Sequence, residues 1–127
     1  KLIVGDHYHK KSRSQMSKDG FDINRSRVSD DTLAVFLSSP LDSDIESVPG
    51  IGPSSKEKLK AAGIETTIQL MGTFLTLKGI DMDQTQHCDA MWFYLQEIGV
   101  NTLRSGIVHC IAEKANVMVP GIYNSDN

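Results

Sequence analysis

The sequence predicts an all-α fold, a compact bundle of five or six short helices behind an extended basic arm. Three observations lead there. From about position 30 onward, apolar residues recur at spacings of three and four, the period of a helix face. Ser, Thr, Asp, Gly and Pro stand at the edges of those runs, where helices start and stop. Strand-like alternation is weak, and long repeats and low-complexity segments are absent.

The elements follow in order. Ser29 or Asp30 caps a short helix carrying Leu33, Phe36 and Leu37, stopped by Ser38-Ser39-Pro40. Asp42 to Val48 has room for one or two turns, with Ile45 and Val48 three apart on one side. Pro53 opens a helix that closes at Gly63, since proline suits a first turn and glycine a helix end. Thr66 or Thr67 opens the next, with Ile68, Leu70, Met71, Phe74, Leu75 and Leu77 mostly buried and Lys78-Gly79 ending it. Asp83 caps a longer helix with Cys88, Met91, Trp92, Leu95 and Ile98 on one stripe, closed by Gly99. Asn101 or Thr102 starts the last helix, which turns Leu103, Ile107, Cys110, Ile111 and Met118 inward and stops at Pro120-Gly121. One core should hold Phe74, Leu77, Trp92 and Ile107.

A chain of 127 residues suits one domain, and 39% hydrophobic with 23% charged residues is ordinary for a globular protein. No apolar run approaches the roughly 18–20 residues that span a bilayer. Cys88 and Cys110 are too few for a disulfide scaffold and point to a reducing compartment. The chain begins with Lys1 rather than Met, which is compatible with a removed targeting segment for an organelle.

The net charge of −3 hides an asymmetry. Residues 1–28 carry seven Lys/Arg and three Asp; residues 29–127 carry six Lys/Arg and thirteen acids. The expected organisation is a polar basic arm over 1–28 and a helical domain over 29–127. In the arm, Leu2, Ile3, Val4, Phe21 and Ile23 look like docking anchors, and the charge suits nucleic acid or an acidic protein face.

The stretch from Ser47 to Ile64 reads "SVPGIGPSSKEKLKAAGI". With Ile45 and Val48 ahead of Gly50-Ile51-Gly52, and Leu59 at helical spacing behind, this is a helix-hairpin-helix pattern. The chemistry needs these residue types. Glycines let a surface come close to the backbone. Amides in the turn and in the next helix's first turn are unpaired donors at a positive dipole end, which suits a phosphate oxygen. Ile51 staples the two helices, Ser54 and Ser55 offer hydroxyls, and Lys56, Lys58 and Lys60 add charge. Such contacts address the backbone rather than base edges and carry little sequence information. The fourth residue after Gly52 is commonly small in such hairpins, and here it is Lys56, whose stem should run outward. The later "VPGI" at 119–122 lacks the second glycine and a following helix, and is a helix stop.

Around this hairpin the chain resembles the barrier-to-autointegration factor family of small, all-helical, dimeric chromatin proteins. The likeness rests on Gly50-Ile51-Gly52, Lys58-Leu59, Leu70-x-Gly72-x-Phe74-Leu75-x-Leu77-Lys78, and Gly99-x-Asn101 with Ser105, and covers about residues 45–112. It implies sequence-independent binding of duplex DNA, a homodimer, and a nuclear location. Gly50, Gly52 and Lys58 match the family's DNA-contacting hairpin. Leu103 and Gly106 stand where the family has a Lys and an Arg, with Arg104 between them, so two phosphate-contacting charges are missing.

No catalytic constellation is present, and no cofactor or metal is implied. His87-Cys88 and His109-Cys110 are adjacent pairs whose members point about 100° apart on a helix, so the cysteines should be buried beside partly exposed histidines. His7 and His9 could catch a stray metal. Asp81 and Asp83 read as turn and cap residues, and Ser105 has no His–Asp partners. In Trp92-Phe93-Tyr94, one of Phe93 or Tyr94 should emerge as a subunit contact. Two non-enzymatic readings result. One is duplex-DNA binding through the hairpin; the other is a structural subunit of a larger protein assembly, contacted by residues 1–28.

Overall fold

The computed structural model describes residues 19–124. Among them are five α-helices: α1 (Asp30–Leu37), α2 (Pro53–Ala61), α3 (Thr67–Thr76), α4 (Gln84–Glu97) and α5 (Arg104–Met118). Two 3-10 turns, Ile23–Arg25 and Ile45–Ser47, precede α1 and α2. The described chain is all-α, as the sequence predicts. Leu2, Ile3, Val4, His7 and His9 lie outside the described residues.

Local chemistry sets most helix ends. The Ser29 hydroxyl accepts from Thr32 N–H at 3.1 Å to start α1. Thr66 with Gln69, and Asp83 with Gln86, form reciprocal capping boxes at α3 and α4; caps of this kind contribute about 1 kcal/mol each. Pro53 occupies the first turn of α2. Past Gly63 and Gly99, Ile64 N–H bonds Leu59 C=O and Val100 N–H bonds Leu95 C=O, both at 2.9 Å. This end motif brings an apolar pair together after each helix, and all four side chains are buried in the core.

Helix α5 buries side chains around most of its circumference, with α1, α3 and α4 packed about it. A helix apolar on most sides belongs at the centre of a bundle. Phe74, Trp92 and Ile107 lie in one core, with Leu77 partly buried at its margin. Lys114, 2% exposed, donates from Nζ to Phe36 O, Ser39 O and Ser39 Oγ while sitting over the Phe36 ring. It thus supplies the cation at the C-terminal end of α1 that α1's own last turn lacks.

Four expectations need correction. Leu103 precedes α5 in a left-handed conformation (φ 58°), so the helix starts at Arg104 and not near Asn101. Leu103, Met118 and Ile68 are at least half exposed rather than inward. Each lies at or beside a helix end, where the periodic pattern continues past the neighbouring helices. His87 is 1% exposed rather than partly exposed, because it falls one and two turns before Met91 and Leu95 on the inward stripe. Neither Phe93 nor Tyr94 emerges outright: both are partly buried, and Phe93 packs edge-on against Trp92 at 4.9 Å.

Residues 19–28 run along the body. Phe21 N–H donates to Asp89 Oδ1 (2.8 Å) and Asp22 N–H to Ser105 Oγ (3.1 Å). The Ser26 hydroxyl and His109 Nδ1 are 2.9 Å apart, and Phe21 and Val28 pack against the core. Phe21 is therefore an anchor, whereas Ile23 is exposed. At the other end, α5 stops at Met118, and Asn116 Oδ1 accepts from Gly121 N–H (2.8 Å) as Tyr123 folds back into the core.

Candidate nucleic-acid interface

The hairpin turn hangs on three buried side chains, Val48, Ile51 and Leu59, and Ile51 N–H bonds Val48 C=O at 3.1 Å. Its two glycines are held for different reasons. Gly50 has φ +98°, and a Cβ there would lie 3.0 Å from Ile107 Cγ1. The fold itself requires glycine at 50. Gly52 has an ordinary extended backbone (φ −104°, ψ −170°), and a Cβ would meet nothing within 4 Å. The fold tolerates a side chain at 52.

A bare glycine at 52 leaves the start of α2 uncovered. Gly52 is its N-cap and supplies no side-chain hydrogen bond. The N–H groups of Gly52, Ser54 and Ser55 thus remain donors without an intrahelical acceptor, at the positive end of a nine-residue helix. Gly50 and Gly52 are partly buried and Ser54 is exposed. Arg25, Arg27 and Val28 of the N-terminal segment adjoin this turn on its Pro49–Gly50 side. Lys58 and Lys60 are exposed on α2, and the Lys58 stem lies across Gly99, where an added Cβ would be 3.2 Å from its Cδ.

Of three other expected contacts, one is buried and two are engaged elsewhere. Ser55 is 7% exposed, so its hydroxyl offers little surface. Lys56 does run outward, but its Nζ meets Asp44 Oδ1 at 3.3 Å and Glu46 Oε2 at 3.4 Å. Those bonds raise the Lys56 pKa above its ordinary value; the Glu46 N–H bond, then Lys56, lowers that of Asp44. The long side chain fits because the first arm of the hairpin is a single 3-10 turn, Ile45–Ser47, rather than a full helix. Arg104 folds back: its guanidinium lies 4.1 Å from the centre of the Trp92 ring, and Nη1 donates to Val100 O at 2.8 Å. Burial pushes its pKa down, and its Nε has no partner.

The sequence reading missed a cleft beside the turn, of about 230 Å³, between the hairpin, the start of α5 and the docked segment. Arg25 and Arg27 line it with Gly50, Leu103 and Gly106. Gly106 was the available signal: a glycine inside a central helix marks a close approach by another chain segment. Among the described residues no group of three His, Cys, Asp or Glu could hold a metal ion. Cys88 and Cys110 are buried, and burial pushes both thiols up to about 12. No helix of the described residues is long and apolar enough to cross a membrane.

Fold and turn together define an all-α domain with a turn of the helix-hairpin-helix type at the uncapped start of α2. A family model for barrier to autointegration factor matches residues 28–118, and the chain belongs to that family. The match runs further in both directions than the likeness visible in the sequence, taking in α1 and the whole of α5. Domains of this family are non-enzymatic, bind DNA without sequence preference and form dimers. Searches of curated proteins and of solved structures returned no match.

Proposed function

We propose that this protein is a binding module, not an enzyme, that holds double-stranded DNA irrespective of sequence by its phosphate backbone. The observation that carries the reading is Gly52. Nothing in the packing or the backbone angle requires glycine there, yet glycine leaves the helix without a side-chain cap, so the Gly52, Ser54 and Ser55 amides have no intrahelical acceptor. Lys58 and Lys60, exposed in the last turn of α2, add charge on the same helix. Backbone amides see a phosphate oxygen but no base edge, so affinity should be alike for unrelated duplexes.

The acidic body favours a second reading, in which the same fold holds protein and residues 1–28 act as a strap. An electrophoretic shift with two unrelated labelled duplexes separates the readings. At ~20 mM salt, where screening is weak, both duplexes should be retained equally and released steeply as salt rises. No shift of either duplex would exclude the DNA reading.

A further inference from the structure

Helix α5 begins without a cap of its own. Its N-cap residue, Leu103, lies in a left-handed conformation (φ 58°) and supplies no side-chain hydrogen bond. A leucine keeps such a backbone only where its surroundings hold it there. Two other segments press on this first turn from different sides. Leu103 and Ile107 face the hairpin: a Cβ on Gly50 would lie 3.0 Å from Ile107 Cγ1 and 3.5 Å from Leu103 Cβ. Ser105 and Gly106 face the docked segment 19–28. Asp22 N–H donates to Ser105 Oγ at 3.1 Å, and a Cβ on Gly106 would lie 3.3 Å from Val28 Cγ2 and 3.8 Å from Ser26 Oγ.

The docked segment and the hairpin turn thus meet through one turn of helix, close enough on either side that a single added carbon would crowd the contact. The segment's own hold lies farther along the body. Phe21 packs against the core, its N–H donates to Asp89 Oδ1 on α4 at 2.8 Å, and Ser26 meets His109 on α5. Close-packed groups do not shift independently. Lifting the segment therefore frees the first turn of α5 and, with it, the support under Gly50.

We propose that residues 21–28 position the hairpin turn, acting through the first turn of α5 and touching no DNA themselves. Phe21 and Val28 are then positioning residues, and release of the segment lowers the affinity of the hairpin. The inference deepens the DNA reading above and rests on it, but the two fail separately.

The test uses the full chain, with Phe21→Ala to remove the anchor and Gly106→Ala to push Val28 outward. Phe21 is only partly buried, at the margin of the core, and alanine suits a helix better than glycine, so both variants should stay folded. In each, the amide resonances of Gly50, Ile51 and Gly52 should move before any DNA is added, and duplex affinity should fall about 2- to 30-fold. The slope of log affinity against log salt counts phosphates neutralised by Lys and Arg, so it should keep its parental value. Adding Val28→Ala to Gly106→Ala makes room for the new methyl and should restore both readouts, which a general loss of stability would not allow. Parental affinity with unmoved resonances at 50–52 would overturn the proposal and leave the hairpin reading standing. A flatter slope would overturn it too, since the segment would then be contacting phosphates itself. If the parent binds no duplex, the resonances decide: shifts at 50–52 in Phe21→Ala keep the coupling, and their absence removes it.

Discussion

Gly52→Asp should move stability and DNA binding in opposite directions. The φ and ψ of Gly52 are those of an N-cap, and an added side chain meets no atom within 4 Å. An aspartate is among the best caps, a few tenths of a kcal/mol better than glycine. Its charge at the helix N-terminus contributes about 0.3–1 kcal/mol, and losing a glycine's freedom in the unfolded chain contributes about 0.4–1 kcal/mol. The variant should therefore be more stable by about 1 kcal/mol, a rise of several degrees in melting temperature. The introduced carboxylate also stands where a phosphate would sit. At about 5 Å and an effective dielectric of about 20, two like charges repel by roughly 3 kcal/mol, which is on the order of 100-fold in affinity. Thermal unfolding by circular dichroism and fluorescence anisotropy with a labelled duplex measure the two effects. A variant that is stabilised yet binds like the parent would refute the role given to the α2 N-terminus. The contrast is Gly50→Ala, which should cost about 1–3 kcal/mol from positive φ alone, before the contact with Ile107 is counted.

Three further predictions concern the scaffold. His87 Nε2 is 2.7 Å from Phe74 O and its Nδ1 is buried without a partner, so burial, aided by Lys78, pushes its pKa below the ordinary value despite the Phe74 bond. The unfolded chain then takes up a proton that the folded one refuses. Stability should be full above about pH 6.5 and fall below it by up to about 1.4 kcal/mol per pH unit; His87→Phe should flatten that slope in denaturant titrations at several pH values. Lys114→Met keeps most of the side-chain volume but strips Phe36 O and Ser39 O of their donor; it should cost about 1–3 kcal/mol by urea unfolding, and parental stability would show the capping contact to be idle. Trp92→Ala should cost about 3–5 kcal/mol, since the indole is 7% exposed and also carries Arg104; a variant as stable as the parent would mean that the ring is not core.

What the sequence disclosed and what it concealed divide by range. Ser29, Thr66, Asp83, Pro53, Gly63 and Gly99 act on neighbours a few residues away, so their helix ends were readable. The hairpin was readable for the same reason, its anchors and glycines lying within one short window. Lys114 serves a helix end 75 to 78 residues distant, and Asp89 accepts from an amide 68 residues away; a charged residue in a helical run gives no sign of such a partner. The same blindness affected Lys56 and Arg104, whose charges count toward a phosphate site only until Asp44, Glu46 and Trp92 are placed beside them. Docking of residues 19–28 depends on the surface of α5, and only Gly106 hinted at it.

The central claim, that a phosphate is received by the first amides of α2, is tested most directly by recording amide resonances of the ¹⁵N-labelled protein while duplex is added. The account predicts the largest shifts at Gly52, Ser54 and Ser55, the same for two unrelated sequences, and reversed by salt. Shifts confined to other surfaces, or a pattern that changes with sequence, would contradict it.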